Sequence, residues 1–311
     1  MAVLCVAGHA GAQSDPDAVF ERVREHLSGG RPGRAVREAE QSIQQNDDRQ
    51  QAAQMRIRVT RLVLDYYLRR GHGKEAVQEA VQNLVQKSQG DWRELACLMG
   101  GRIRVFIGQY EAARKTLNEY LEEFPPPSRE QLKQYGEKDE SLGETALRHP
   151  RMVRRRIARE MFGRLNMIGK KIPPFRVTSL EGEQVTRQEL QGSPAVLIFW
   201  RASTDKSDEW MNLMAQVYDT YSSRGLRMVG LSVDTDKSRL RSFLEQNELP
   251  WPQVYLGGRR DEVTNMFGIG TLYPASLLVD SEGIVRGVDL KGAALGQRIG
   301  QLLRGAEESS G

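Results

Sequence analysis

Apolar residues in the first part of the chain, from about Asp15 to Pro127, recur with the period near 3.6 that is typical of helices. A glycine followed five residues later by an alanine occurs at Gly30, Gly71 and Gly108, at intervals of 41 and 37 residues. The positions four and eight residues after each alanine are also apolar, namely Ala39, Ile43, Ala80, Leu84, Leu117 and Leu121. Glycine suits the end of a helix because it enters the left-handed region at little cost. The pattern therefore predicts helix pairs that are broken at these glycines.

The second part of the chain has a different pattern, in which short apolar runs alternate with amphipathic segments. The runs are rich in β-branched and aromatic residues, which predicts buried strands at Ala195–Trp200, Leu226–Asp234 and Ala275–Asp280. Helices are predicted at Asp205–Ser222, Lys237–Asn247 and Ala294–Leu303. Shorter elements are predicted at Phe175–Ser179, Gln184–Thr186, Pro252–Leu256, Glu262–Phe267 and Ile284–Leu290. This alternation predicts an α/β domain with parallel central strands.

The connection between the two parts begins at Pro125–Pro127, where the prolines end the helical pattern. The polar segment from Glu130 to Leu147 predicts a connection that includes a loop. A helix follows in which the arginines of residues 148–159 lie opposite one apolar face, formed by Met152, Val153, Ile157, Met161, Phe162 and Leu165. The expected role of this basic helix is a solvated link between domains. A surface for anionic lipid or nucleic acid is the alternative.

Length and composition argue against two classes of function, nucleic-acid binding and membrane spanning. A chain of 311 residues suggests about two domains. The net charge of +4 is too small to indicate nucleic-acid binding, and no stretch approaches the ~20 apolar residues of a membrane span. The run Ala2–Gly8 followed by Ala10-Gly11-Ala12 is similar to the end of a signal peptide, with Gln13 as the mature start. We therefore expect export to a periplasmic or other extracytoplasmic space, and a cytoplasmic protein if the run is not a signal.

The third helical unit resembles a tetratricopeptide repeat. Gly108, Tyr110, Ala113 and Pro125 match the spacing of that family, although the intervals between units are longer than the family's. The resemblance implies stacked helical hairpins with an exposed concave face, which commonly binds peptides or proteins. The alternative is a plain helical bundle that packs on the second domain.

The second part resembles the thioredoxin fold, and within it the TlpA-like reductases and the AhpC/TSA redoxins. Residues 168–175 match the Gly-x-x-x-Pro-x-Phe entry of those domains, and Phe199-Trp200 matches the end of their active-site strand. The Tyr273-Pro274 pair and the turn from Asp280 to Gly283 follow in the expected order. The resemblance covers residues 168–303 and implies that Pro274 is cis and lies beside the active site.

The resemblance places Thr204 and Ser207 at the two positions where these families have the cysteines of a Cys-x-x-Cys motif. Thiol exchange needs a thiolate, which a hydroxyl cannot replace. The chain has two cysteines, Cys5 and Cys97, and Cys97 lies in an apolar helical context that predicts burial. We therefore expect no catalytic residue and no thiol redox turnover. The four histidines lack metal-ligand spacing, so neither a metal nor a cofactor is expected.

These observations predict a tetratricopeptide-like helical domain at residues 13–127, a linker with the basic helix at 128–167, a thioredoxin-like domain at 168–304 and a flexible tail at 305–311. The favoured function is a redox-inactive protein that binds a protein or peptide, with Trp200, Tyr273 and Pro274 marking the remnant groove. The first alternative is a thiol-disulfide oxidoreductase or peroxiredoxin-type enzyme, which would need Cys97 or a partner's thiols. In a second alternative, the thioredoxin-like domain only stabilises the helical one.

Overall fold

The computed structural model describes residues 15–136, 141–204, 207–258 and 262–309. The signal-like run, Cys5 and the first residues of the predicted helix at Asp205 lie outside these ranges. The described residues up to Gly100 form one compact unit, and those from Gly101 form a second. The domain boundaries given by the sequence stay predictions, because the compact units reflect packing and not family resemblance.

The first part of the chain is helical, as predicted. The helices are α1 (Pro16–Ser28), α2 (Pro32–Gln44), α3 (Arg49–Arg70), α4 (Lys74–Lys87), α5 (Asp91–Phe106), α6 (Tyr110–Glu123), α7 (Arg129–Tyr135), α8 (Leu142–Arg148) and α9 (Pro150–Leu165). Gly30, Gly71 and Gly108 lie between the helices of successive pairs, with φ angles of 70°, 77° and 75°. Because L-residues with side chains rarely adopt these angles, the glycines allow the chain to reverse there.

The core of the first unit consists of the apolar stripes of its helices. Helix α1 packs on α2, and α3 packs on α4. Among the buried side chains are Val23, Ile43, Val63, Val77 and Leu84, each no more than 1% exposed. Cys97 is buried at 2% exposure, as its apolar context predicts.

The polar segment after the prolines contains two short helices, α7 and α8, where only a connection with a loop was expected. Each begins with a capping box: Ser128 with Gln131, and Ser141 with Glu144. In this arrangement the serine side chain accepts a hydrogen bond from the third helical residue, whose own side chain binds back to the serine backbone. Local hydrogen bonding therefore forms helix in a segment without an apolar stripe.

Two arginines of helix α9 are buried, whereas the sequence predicted a solvated arginine face. Arg155 is 7% exposed and donates hydrogen bonds to the carbonyls of Leu121, at 2.7 Å, and Phe124. Arg164 is fully buried in an ion pair with Asp289. Arginine can be buried when its guanidinium finds carbonyl or carboxylate acceptors, and the periodicity of the sequence does not reveal those distant partners.

The second unit contains the α/β thioredoxin-like domain. Its strands are β1 (Arg176–Thr178), β2 (Gln184–Thr186), β3 (Ala195–Trp200), β4 (Arg227–Ser232), β5 (Gln253–Tyr255), β6 (Ala275–Val279) and β7 (Val285–Val288), and its helices are α10 (Ser207–Tyr221), α11 (Lys237–Gln246), α12 (Glu262–Met266) and α13 (Gly292–Ser309). The main sheet has the order β5-β4-β3-β6-β7, and β1 and β2 form a separate antiparallel hairpin. The predicted strands and helices are confirmed, and α13 continues beyond its predicted end at Leu303 to Ser309.

The central strand β3 organises this sheet. It pairs in parallel with β4 and antiparallel with β6, and all six of its residues are buried. A strand covered on both faces needs a continuous apolar run, which Ala195–Trp200 supplies. Its carboxyl end therefore has a fixed position, from which the next loop starts. Among the helices of the described ranges, none is both long and apolar enough to cross a bilayer.

Candidate functional site

Thr204 and Ser207, the two positions at which the resemblance expects cysteines, lie at the junction of β3 and α10. Thr204 is in the connecting loop, and Ser207 is the first residue of the helix. The hydroxyl of Ser207 donates a hydrogen bond to the carbonyl oxygen of Arg201 at 2.6 Å. The backbone nitrogen of Thr204 donates to the same oxygen at 3.2 Å. Ser207 is buried, with 9% of its surface exposed, whereas Thr204 is half-buried. Asp208 and Glu209 follow in the first turn of α10, where negative charge suits the helix dipole.

A buried carboxylate from the neighbouring strand holds this loop in place. Asp234, at the end of β4, is 2% exposed. Its side chain accepts hydrogen bonds from the backbone nitrogens of Ala202, at 2.8 Å, and Ser203, at 3.4 Å, and from the hydroxyl of Ser232 at 2.8 Å. Because parallel strands end at the same edge of the sheet, a residue that follows β4 can bind the loop that follows β3. Asp234 therefore links the end of β4 to the residues that follow β3.

A second loop, residues 270–274, lies beside the first and is called the cis-proline loop below. The Tyr273–Pro274 bond is cis, as the resemblance implied. The hydroxyl of Tyr273 donates to the carbonyl of Gly270 at 2.6 Å. The guanidinium carbon of Arg201 lies 5.5 Å from the centre of the Tyr273 ring, within the range of a cation–π contact. Arg201 therefore contacts both loops.

The three predicted groove residues do not share one environment. Tyr273 and Pro274 are half-buried and lie at the surface. Trp200 is 1% exposed and packs against Phe243 with ring centres 5.0 Å apart. Trp200 can support a binding surface from within the core, and only the other two could contact a ligand. Whether this surface binds a peptide stays a prediction.

An open pocket of about 360 Å³ adjoins the positions without cysteines. Its lining comprises Ala202, Thr204, Ser207, Asp208, Phe243, Gln246 and Asn247. It is shallow and mostly polar, so it can admit a side chain of a partner but does not enclose a small molecule.

The chemistry of this region is limited by its functional groups. Its described residues offer hydroxyls, a carboxylate and a guanidinium, and none of them carries a thiol. Within the described ranges, no group of three or more histidine, cysteine or acidic residues is arranged to hold a metal ion. The reasoning from sequence missed Arg201 and Asp234, although their positions directly after two apolar strands could have indicated them. It also missed Glu160 of α9, which binds the cis-proline loop and lies too far away in sequence for any local pattern to reveal.

The second part of the chain is similar to a known family. Residues 168–288 match the AhpC/TSA family. The thiol-disulfide oxidoreductase ResA of Bacillus thuringiensis (strain Al Hakam) is 30% identical over 118 residues, which are 38% of this chain and 66% of the relative. ResA of Bacillus subtilis (strain 168) is 24% identical over 117 residues, or 38% of this chain and 64% of the relative. The chain thus spans just under two thirds of the length of these relatives.

Solved structures include similar domains. A thiol-disulfide oxidoreductase from Bacteroides fragilis NCTC 9343 aligns with 43% of this chain and 99% of its own, at 23% identity and a TM-score of 0.40. The helical part of this chain, α1–α9, precedes the family match.

Proposed function

We propose, because the C-terminal part of this chain is an AhpC/TSA thioredoxin-fold domain, that the protein is a redox-inactive relative that binds extended peptides or protein segments. The observation that supports this proposal most is the hydrogen bonding of Thr204 and Ser207. The Ser207 hydroxyl and the Thr204 amide both donate to the Arg201 carbonyl, and Asp234 accepts from the amides of Ala202 and Ser203. Hydrogen bonds therefore engage both substituted positions without a thiol.

Loss of thiol chemistry follows from the side chains. In thiol exchange a thiolate attacks a disulfide sulfur and a mixed disulfide forms. Neither Thr204 nor Ser207 can form such a bond, and Cys97 is buried at 2% exposure, where thiols are inert. Among the described residues no thiol is then available for exchange, so an enzymatic role would depend on a thiol outside them or on a partner's thiols.

Peptide binding is favoured by the surface that remains. Tyr273 and Pro274 are half-buried at the edge of the loop, and the pocket at Thr204 and Ser207 adjoins the same region. Aromatic and arginine side chains are typical anchors of protein interfaces. The tetratricopeptide-like helices, if they form the repeat architecture that the sequence predicts, would offer a second protein-binding surface.

The first test compares disulfide reduction by the natural protein and by a Thr204→Cys/Ser207→Cys variant, with insulin as substrate. We expect the natural protein to match the background rate, because positions 204 and 207 carry hydroxyls and Cys97 is buried. The variant should exceed background, since its thiols would lie at the N-terminus of α10, where the pKa of a cysteine is lowered. Activity of the natural protein would contradict the proposal and make Cys97→Ala the next variant.

The binding part is tested by fluorescence anisotropy with a labelled, alkylated insulin B chain. Tyr273→Ala should weaken binding roughly five- to tenfold, the effect of removing an interface aromatic worth more than about 1 kcal/mol. Tyr135→Ala is the matched control, because Tyr135 is 46% exposed on α7. Equal affinity of the natural protein and Tyr273→Ala would remove the cis-proline loop from the binding surface.

A further inference from the structure

One face of helix α9 contacts the protein on both sides of the Tyr273–Pro274 peptide bond. Glu160 and Arg164 are four residues apart on this helix, so their side chains lie on the same face. Glu160 binds the backbone just before the bond. Arg164 binds the carboxylate of Asp289, which in turn binds the backbone just after the cis bond.

Glu160 binds the cis-proline loop through three hydrogen bonds. Its Oε2 accepts from the backbone nitrogens of Thr271, at 2.8 Å, and Leu272, at 2.9 Å. Its Oε1 accepts from the Thr271 hydroxyl at 2.9 Å. Hydrogen bonds to an ionised acceptor are about twice as strong as neutral ones. A side chain from a helix that precedes the α/β domain thus holds two consecutive amides of its loop.

Arg164 acts on the other side of the proline through Asp289. The Arg164 Nε donates to Asp289 Oδ2 at 2.8 Å, and the two side chains are 0% and 5% exposed. The Oδ1 of Asp289 accepts from the backbone nitrogen of Ser276 at 2.9 Å. Ser276 lies two residues after Pro274, in strand β6. The same helix face therefore restrains the chain before and after the cis bond.

Gly270 shows that the fit of Glu160 to this loop is close. A Cβ atom built at position 270 would overlap the Glu160 carboxyl group. The backbone at Gly270 does not need the left-handed region, so a side chain there would compete only with the Glu160 carboxyl group for space. A larger residue would displace the carboxylate from all three donors.

Tyr273 connects this restraint to the positions without cysteines. Its ring contacts the guanidinium of Arg201, whose own carbonyl oxygen accepts the Ser207 hydroxyl. A shift of the loop at Thr271 would therefore move Tyr273 relative to Arg201 and to the adjoining pocket.

We infer that Glu160 is a positioning residue, which sets the cis-proline loop in the geometry that binds the peptide. The helical segment then does more than precede the thioredoxin-like domain, because it contributes a side chain to the framework of that domain's binding surface. This assignment rests on the proposed peptide-binding function.

The test measures two quantities in the full-length protein: hydrogen exchange of the Thr271 and Leu272 amides, and the Kd for alkylated insulin B chain. In Glu160→Ala we expect both amides to exchange at least about tenfold faster, because their acceptor is gone. The Kd should rise by about fivefold, the lower end of typical coupling between sites. Gly270→Ala should change both quantities in the same direction.

Two variants serve as controls. Glu160→Gln should lie between the natural protein and Glu160→Ala, because an amide oxygen can accept both backbone bonds and the Thr271 hydroxyl can accept from the amide nitrogen, but a neutral acceptor binds more weakly. Glu119→Ala makes the same substitution at an exposed position of α6 and should change neither quantity.

A purely structural role would lower the unfolding midpoint and leave the Kd of the folded protein unchanged, and that result would overturn the assignment. Unchanged amide exchange in Glu160→Ala would also overturn it. Failure of the natural protein to bind the insulin B chain would instead overturn the proposed function, so the two failures are distinguishable.

Discussion

Ser207 makes a hydrogen bond that a cysteine at the same position would make poorly. Its hydroxyl lies 2.6 Å from the Arg201 carbonyl, a short distance for a neutral pair, whereas a thiol is a weak donor. The same oxygen also accepts from the Thr204 amide, so one carbonyl joins both substituted positions. At the scale of single residues, a hydrogen bond therefore stabilises the loop where a thiol would have been reactive.

A second local network lies in the first helix pair. Glu38 of α2 accepts hydrogen bonds from Arg34 and from His26 Nε2, the latter at 2.8 Å. The hydrogen bond from the Arg34 side chain, followed by that from His26, lowers the pKa of Glu38 from 4.5 to about 2. Hydrogen bonding to the charged form thus favours ionisation.

This shift predicts how the stability of the natural protein depends on pH. Because the pKa of Glu38 is lower in the folded state, its contribution is fully present above pH 4.5 and is lost as the pH falls towards 2. The difference in unfolding midpoint between the natural protein and Glu38→Gln should therefore shrink from pH 6 to pH 3, as measured by urea titration. Glu119→Gln provides the control, and an equal difference at both pH values would contradict the prediction.

At the scale of elements, helix ends and interiors place opposite demands on glycine. Gly71 ends α3 with a φ of 77°, in the left-handed region. Gly163 lies within α9, is exposed, and has open space where a Cβ would be. A side chain is strained at the first position and free of contacts at the second.

Alanine substitutions at these two glycines should therefore have opposite signs. Gly71→Ala should lower the free energy of unfolding by about 1–2 kcal/mol, the cost of the left-handed conformation. Gly163→Ala should raise it by roughly 0.5–1 kcal/mol, since alanine loses less entropy in a helix interior. Urea unfolding of both variants measures these changes. A destabilised Gly163→Ala would contradict the prediction, because it would mean that the space at this Cβ position is not open.

At the scale of the whole molecule, contacts of α6 and α9 with the α/β domain place these helices in the second compact unit. The hydroxyl of Tyr110 accepts a hydrogen bond from the backbone nitrogen of Val288 at 3.0 Å, at the outer strand of the sheet. Burial raises the pKa of Tyr110 above its usual range. This hydrogen bond and the ion pair of Arg164 and Asp289 join α6 and α9 to the thioredoxin-like domain within one compact unit.

A fragment that begins at the family match should therefore be less stable than one that begins at the compact unit. Residues 168–311 lack Tyr110, Glu160 and Arg164, so Asp289 would lose its charged partner. The fragment also loses the hydrogen bond between Tyr110 and Val288 and the hydrogen bonds of Glu160 to the cis-proline loop. We expect residues 101–311 to unfold at clearly higher urea concentration than residues 168–311, and equal midpoints would contradict a structural role for these helices.

Much of the fold was predictable because it depends on local patterns. The apolar run Ala195–Trp200 predicted β3, and the periodic stripes with Gly71 and Gly108 predicted helix pairs. Helices α7 and α8 were not predicted, since their capping boxes were overlooked in a polar segment. For the candidate site, Thr204, Ser207, Tyr273 and Pro274 were found by motif order.

The sequence by itself determined the helix pairs of the first part, the strands and helices of the second part, and the absence of a Cys-x-x-Cys motif, because periodicity and residue identity are local properties of the chain. Only the tertiary structure decided that Arg164 is buried and that Asp234 and Glu160 hold two loops of the site. The ion-pair partner of Arg164 and the loop amides held by Asp234 and Glu160 lie 31 to 125 residues away from these side chains. Such contacts depend on the packing of whole elements, which no short stretch of the sequence specifies.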